Sequence, residues 1–228
     1  MSTPQKRSIV GRFARAALRT ATGAALFYGL FLGAFYTGRG DKLTQGEKEL
    51  VTSVFGDEVN PDKIRKHMKK DGHITHILRD KVGTVLPPLS HIDIFGPEYW
   101  SQDYSQEDAR KYGLFIHEAT HTWQNQNHVW PFRAFRVYEF TLKDNSRFSD
   151  FGAEQQAEII EAYALRWLHK DGEKNAKEEN AERDRLLIKV VETKFPRAKQ
   201  TRLALEAQRE QPKEKPAQKP APVFNLYP

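Results

Sequence analysis

The stretch Tyr112-Gly-Leu-Phe-Ile-His117-Glu118-Ala-Thr-His121-Thr-Trp-Gln124 constrains this chain more than any other. Residues four apart lie on one face of an α-helix, so His117 and His121 can turn a ring nitrogen toward a single point. Two imidazoles at that spacing supply half of a tetrahedral zinc site. Glu118 points partly aside from the pair, where it can reach a water on the metal without occupying a coordination position. Leu114, Phe115, Ala119, Thr122 and Trp123 add apolar surface at helical spacing, with Ser105 expected as the N-cap and Asp108 in the first turn. The competing reading is an ordinary helix whose two histidines are surface or core residues.

A catalytic zinc needs three protein ligands and one open position, so a third oxygen or nitrogen is required from a neighbouring element. Glu154 is the first choice. It opens Glu154-x-x-Ala157-Glu158 on a second helical pattern, whose core stripe is Ile160, Tyr163, Ala164, Trp167 and Leu168. Ala157 is small enough to let that helix approach the first one. Glu158, one turn along, is expected to orient a ligating histidine through its free ring N–H. Glu158 as the ligand itself, and His128 on a nearby loop, are the alternatives. Glu154, Glu158 and Glu161 share a face. The remaining histidines, His67, His73, His76, His91 and His169, read as surface or strand residues.

Charge is unevenly placed. Residues 1–40 hold six basic residues and no acid, and beyond them 30 basic residues are matched by 30 acidic ones. The net charge of +6 therefore belongs to the N-terminal segment and gives no support to a nucleic-acid surface. The absence of cysteine excludes disulfides, Cys-ligated zinc and Cys nucleophiles. Thr20 to Gly38 is a run of 19 residues without charge. As a helix it would span about 28 Å, close to the hydrocarbon core of a bilayer. Five positive charges precede it and one comes after it. The expectation is a single-pass anchor over residues 20–38, with the N-terminus cytoplasmic and the rest on the periplasmic or extracytoplasmic side. A cleaved signal peptide and a helix lying in the membrane surface compete with it.

The domain is expected over 41–195. Thr44-Gln-Gly-Glu47 is a capping box leading into Leu50, Val51 and Val54, and Gly56 ends that helix. Asn60-Pro61 is expected to open another helix, running to Asp71-Gly72. Residues 74–95 look extended, with strands at Ile74–Leu78, Thr84–Leu86 and His91–Phe95, one of them beside the zinc helix, where an edge strand could hold an extended peptide. A loop from Asn125 to Pro131 precedes an aromatic segment (Trp130, Phe132, Phe135, Tyr138, Phe140) read as core, with a cleft wall as the alternative. A third helix is expected over 173–195, ended by Pro196. Residues 196–228 read as a charged helical patch and then a disordered Pro/Lys-rich tail. The fold class is α+β, mainly α, preceded by the membrane helix.

His117-Glu118-x-x-His121 with Glu154-x-x-Ala157-Glu158 downstream resembles the gluzincin metallopeptidases, whose third zinc ligand is a Glu in a Glu-x-x-x-Asp-like motif on a later helix. Here Glu158 stands where that pattern often has Asp. More closely, the chain is similar to a bacterial group of zinc peptidases related to Rhs and Vgr proteins, a metallopeptidase-like domain found with contractile injection systems. The stretches that carry this are Leu43-Thr-Gln-Gly-Glu47 with Val54-Phe-Gly-Asp57, Leu114 to Gln124, and Glu154-Gln-Gln-Ala-Glu-Ile-Ile160. They span about residues 42–170. The resemblance implies a zincin-like domain with one Zn2+ per chain held by His117, His121 and Glu154. It implies hydrolysis of a peptide bond in a peptide or protein substrate, with Glu118 as general base. An oxyanion donor is then expected among Tyr112, Tyr138, Tyr163 and His128. A secretion-apparatus protein is the expected further partner. A catalytically silent binding module in a secretion or envelope assembly is the alternative, and a peptidase toxin delivered into another cell a weaker third.

Overall fold

Thr44 begins the first helix as its side chain dictates. Its hydroxyl accepts from the Glu47 amide at 3.1 Å, and the Glu47 carboxylate accepts from the Thr44 amide at 2.9 Å. Helix α1 (Gln45–Phe55) buries Leu50, Val51, Val54 and Phe55, and Gly56 ends it at a φ of +55° that favours glycine. The computed structural model describes residues 40–69, 82–85, 87–129, 137–172 and 181–210. The uncharged 20–38 run, Ile74–Leu78, Trp130, Phe132, Phe135, His73, His76 and the Pro-rich tail lie outside them. No described helix is long and apolar enough to cross a membrane.

The segment after Asn60 departs from its expected helix. Pro61–Lys63 makes a single 3-10 turn, and Arg65–Lys69 is a strand, β2. Ile64 and Lys66 face the core while the residues on either side of Lys66 are less buried, which is strand alternation. Lys66 disguises that alternation, because a lysine in a buried position reads as polar. Strands β1 (Asp41–Lys42), β2, β3 (Gly83–Val85) and β4 (His91–Phe95) form one sheet in the order β1-β2-β4-β3. Strand β2 runs parallel to β4, and the other pairings are antiparallel. The two expected strands at 84–86 and 91–95 are thus present within a residue, and β3 lies at an edge of the described sheet.

Helix α2 (Ala109–Gln126) is capped by Asp108, whose carboxylate accepts from the amides of Arg110 and Lys111. Ser105, the expected cap, sits instead in a separate turn (Tyr104–Gln106) capped by Asp103. The helix continues through Asn125, the expected start of the loop. Helix α3 (Ala153–Tyr163) packs along α2 and ends in a π-turn at Ala164–Leu168. Fully buried Ala157 on α3 agrees with the close approach expected from its size.

Helix α4 (Ala181–Lys194) buries Leu186, Leu187, Val190 and Val191. Pro196 stops it and starts α5 (Pro196–Glu210). Helix α5 packs on α1 and α4: Ala198 is buried, Thr201 donates to the Ser53 carbonyl at 2.8 Å, and Arg202 pairs with Glu192 at 2.6 Å. The packed unit therefore runs past residue 195, the end expected from Pro196 and the loss of an apolar pattern, because the charged helical patch expected beyond it still buries one narrow face. Trp123, Phe55 and Phe148 surround Phe195 at ring separations of 5.1, 5.2 and 5.2 Å, closing the core beneath α2.

Candidate metal centre

Helix α2 presents His117 and His121 one turn apart, and α3 lies against them with Glu154 in its first turn. His117 Nε2 lies 3.4 Å and His121 Nε2 3.3 Å from the same atom, Glu154 Oε2. All three ligand atoms fall within 4.8 Å of one another. Two ligands held at ~2.0–2.1 Å from a tetrahedral zinc stand about 3.3–3.4 Å apart, so the nitrogen–oxygen separations fit the ion. The donor set fits as well: two imidazoles and one carboxylate are the chemistry of a catalytic rather than a purely structural zinc.

The outer hydrogen bonds aim these ligands. Gln156 Nε2 donates to the carbonyls of Phe148 and Phe151, which leaves its Oε1 as an acceptor. Gln124 Nε2 donates to that Oε1 and to the Ala153 carbonyl. Gln124 Oε1 must then accept, and it lies 2.8 Å from His121 Nδ1. His121 Nδ1 accordingly carries a proton, which makes Nε2, the nitrogen facing Glu154, the one available to a metal. No residue of this relay other than His121 itself stands out in the sequence, although Gln124 does come three residues after His121.

His117 is steadied differently from expectation. Its Nδ1 lies 3.1 Å from Glu161 Oε2 and 3.7 Å from Glu158 Oε1, so Glu161 takes the hydrogen bond assigned to Glu158. The reason is the helix period. Glu161 stands seven residues, or two turns, beyond Glu154 and returns to the same face. Gly113 leaves it room: a Cβ there would lie 2.7 Å from Glu161 Oε1. The seven-residue spacing is visible in the sequence, but the depth at which α3 crosses α2 is not.

Glu118 is buried beside the ligands, beneath β3. A Cβ at Gly83 would sit 2.6 Å from Glu118 Oε1 and 2.9 Å from its Cγ and Cδ, so only glycine lets β3 come this close. A cavity of about 330 Å³ opens here. Val82 and Gly83 line it from the strand side, Tyr99, Arg110 and Leu114 from one end, and Glu118, Glu154, Glu158 and Glu161 around His117. Burial pulls the His117 pKa down, but the carboxylates of Glu154, Glu161 and Glu118 pull harder the other way and hold it near 10. Burial and the neighbouring Glu161 push Glu158 up. The carboxylates around this one imidazole give the cavity a negative field that a protonated His117, or a bound cation in its place, would offset.

Of the four expected oxyanion donors, only Tyr138 lines the cavity, with its ring 6.5 Å from that of His117. That makes Tyr138 part of the cleft wall rather than the core, whereas Phe140 packs on Phe151. Tyr163 is in the core, its hydroxyl 2.9 Å from Glu192 Oε1 and 3.2 Å from the Ala198 carbonyl. Tyr112 is buried edge-on against His169, and burial raises both of these phenols. His128 is exposed beyond the end of α2 at a φ of +53° and lines no part of the cavity. His169, read as a surface or strand residue, is buried with Nε2 3.2 Å from the Glu107 carbonyl. His67 and His91 are strand residues as expected, stacked on each other across β2 and β4.

No protein-family model matches the sequence. Over 162 residues, 66% of the chain, it is 32% identical to the type VI secretion system spike protein VgrG2b of Pseudomonas aeruginosa. It spans only 15% of that protein's length. Among solved structures, it is similar to the effector domain of Pseudomonas aeruginosa VgrG2b, with a TM-score of 0.50 and 27% identity. That match covers 74% of the chain and 95% of the domain. The Vgr part of the resemblance read from the motifs is therefore supported by sequence and structure alike.

Proposed function

We propose that this chain is a zinc-dependent peptidase that serves a bacterial secretion system. One observation carries the enzymatic part. Two histidines of one helix and a glutamate of the next converge on one point, with a fourth group that is not a ligand, the buried Glu118 carboxylate, in the same cavity. A purely structural metal site has no use for that fourth group. Similarity to an effector domain of a type VI spike protein supports the secretion setting.

His117, His121 and Glu154 would hold the ion. When bound, zinc lowers the pKa of a coordinated water toward ~7 and polarises a carbonyl. Glu118 takes the proton of the attacking water and passes it to the leaving amine. Tyr138 donates toward the oxygen on which charge develops. The edge of β3, with Gly83 and the preceding Val82 along the cavity, pairs with an extended substrate backbone. Glu161 and Gln124 hold the two imidazoles in their ligating orientation.

The test uses the full chain. Elemental analysis after dialysis is expected to find one zinc per chain in both the wild type and Glu118→Gln. Hydrolysis of a broad peptide mixture, monitored by mass spectrometry, is expected to fall about 10²–10⁴-fold in that variant. A folded protein that stays empty when zinc is supplied would overturn the metal site. Zinc without hydrolysis by the wild type would leave the silent binding module in its place.

A further inference from the structure

The cavity is electrically lopsided. Its carboxylates gather around His117, and at the far end stands Arg110, the one arginine or lysine among the described residues that line it. Arg110 is the second residue of α2, seven before His117, so the two share a helix face about 10.5 Å apart along the axis. Leu114 lies between them and lines the cavity too.

The guanidinium is held in place by stacking. It sits 4.5 Å from the centre of the Tyr99 ring. Tyr99 is itself fixed, because its carbonyl accepts from the hydroxyl of fully buried Tyr104 at 3.0 Å. Among the described residues the Asp108 carboxylate, which caps the helix, feels the Arg110 charge, but none forms an ion pair with the guanidinium, which is exposed and lines the cavity. A guanidinium stacked on a ring keeps its N–H edge available for a planar, two-oxygen partner.

We propose that Arg110 determines specificity by binding a carboxylate of the substrate. This rests on the proposed peptidase function and names its substrate class: acidic peptides. An extended peptide advances about 3.3 Å per residue, so the spacing from His117 to Arg110 puts the carboxylate roughly two to four residues from the bond that is cut. Either an Asp or Glu side chain or a free chain terminus supplies that chemistry. A side-chain carboxylate makes the enzyme an endopeptidase with acidic preference, and a terminal one makes it a trimming enzyme.

The experiment digests a peptide library with the zinc-loaded full chain, one half of the library carrying free C-termini and the other half amidated. Wild type is expected to enrich Asp or Glu two to four residues from its cleavage sites in both halves, or to cut only the free half close to the terminus. Arg110→Ala is expected to reduce kcat/KM for acidic over neutral peptides about tenfold, mainly through KM, and Arg110→Glu to invert the preference toward Lys and Arg. Arg110→Lys should restore part of it. Equal zinc content and an unchanged melting temperature in these exposed-site variants separate specificity from folding. Cleavage by the wild type with no acidic preference, or a preference untouched by Arg110→Glu, overturns the role of Arg110 and leaves the peptidase standing. Zinc bound with nothing cleaved overturns the peptidase, and the substrate assignment with it.

Discussion

A histidine is a useful metal ligand only when the right nitrogen is bare. At His121 that choice is made by a relay of two glutamines, ending on main-chain carbonyls that cannot reverse their polarity. At His117 a carboxylate takes the hydrogen bond of Nδ1, which leaves Nε2 as the nitrogen that must give up its proton to a metal, and the distances decide which carboxylate. At 3.1 Å Glu161 makes a hydrogen bond, whereas Glu158 at 3.7 Å adds only charge. Loss of such an outer partner typically costs about 10–100-fold in metal affinity. Glu161→Ala is therefore expected to weaken zinc binding by that amount, and Glu158→Ala by clearly less, in a competition titration against a chromophoric chelator. The opposite order would return the supporting role to Glu158.

Among the elements, β3 has a small share of the sheet but fixes the surroundings of Glu118, the proposed general base. Three residues long, it rests on α2 at Glu118 through Gly83. Gly83→Ala forces a methyl group into the space of the Glu118 side chain, so either the carboxylate turns or the strand backs away. A displacement of about 1 Å at a catalytic group can cost 10²-fold in rate. The variant is expected to keep its zinc and its circular dichroism spectrum while losing about that factor in kcat. An unchanged rate would mean that Glu118 does not act from the position it holds here. On the other side of the sheet, β2 is a strand where the sequence pattern suggests a helix. Its strand character comes from β4, a partner more than twenty residues away, and not from its own composition.

For the molecule as a whole, the most exacting feature is the Lys66–Glu47 pair, 2.6 Å apart with side chains 1% and 0% exposed. Lys66 also donates to the carbonyls of Ser101 and Gln102, and Glu47 accepts from the Tyr104 amide. One ion pair thus ties α1, β2 and the segment leading into α2. Lys66→Met leaves Glu47 buried without its counter-charge and is expected to cost about 3–5 kcal/mol, read from the urea midpoint at constant m. The double variant Lys66→Met/Glu47→Leu is expected to regain most of that loss, because no charge is then stranded. A single variant as stable as wild type would show that the pair is solvated in solution.

The sequence alone determined the features set by the period of a single element. A four-residue step put His117 and His121 on one face, the Thr44–Glu47 box started α1, and alternation marked β4. Glu154 was legible as the first acid of Glu154-x-x-Ala157-Glu158 on the next helical pattern, where small Ala157 permits a close approach. The tertiary structure decided everything that depends on how deeply and at what angle two elements meet. The α2–α3 crossing chose Glu161 over Glu158, the approach of β3 required Gly83, and the core withdrew Tyr112 and Tyr163 while leaving Tyr138 in the cavity. Helical and strand periods are properties of the backbone and can be read along one chain. Contacts between elements depend on side-chain volumes and burial contributed by both partners, and no single stretch of sequence holds both.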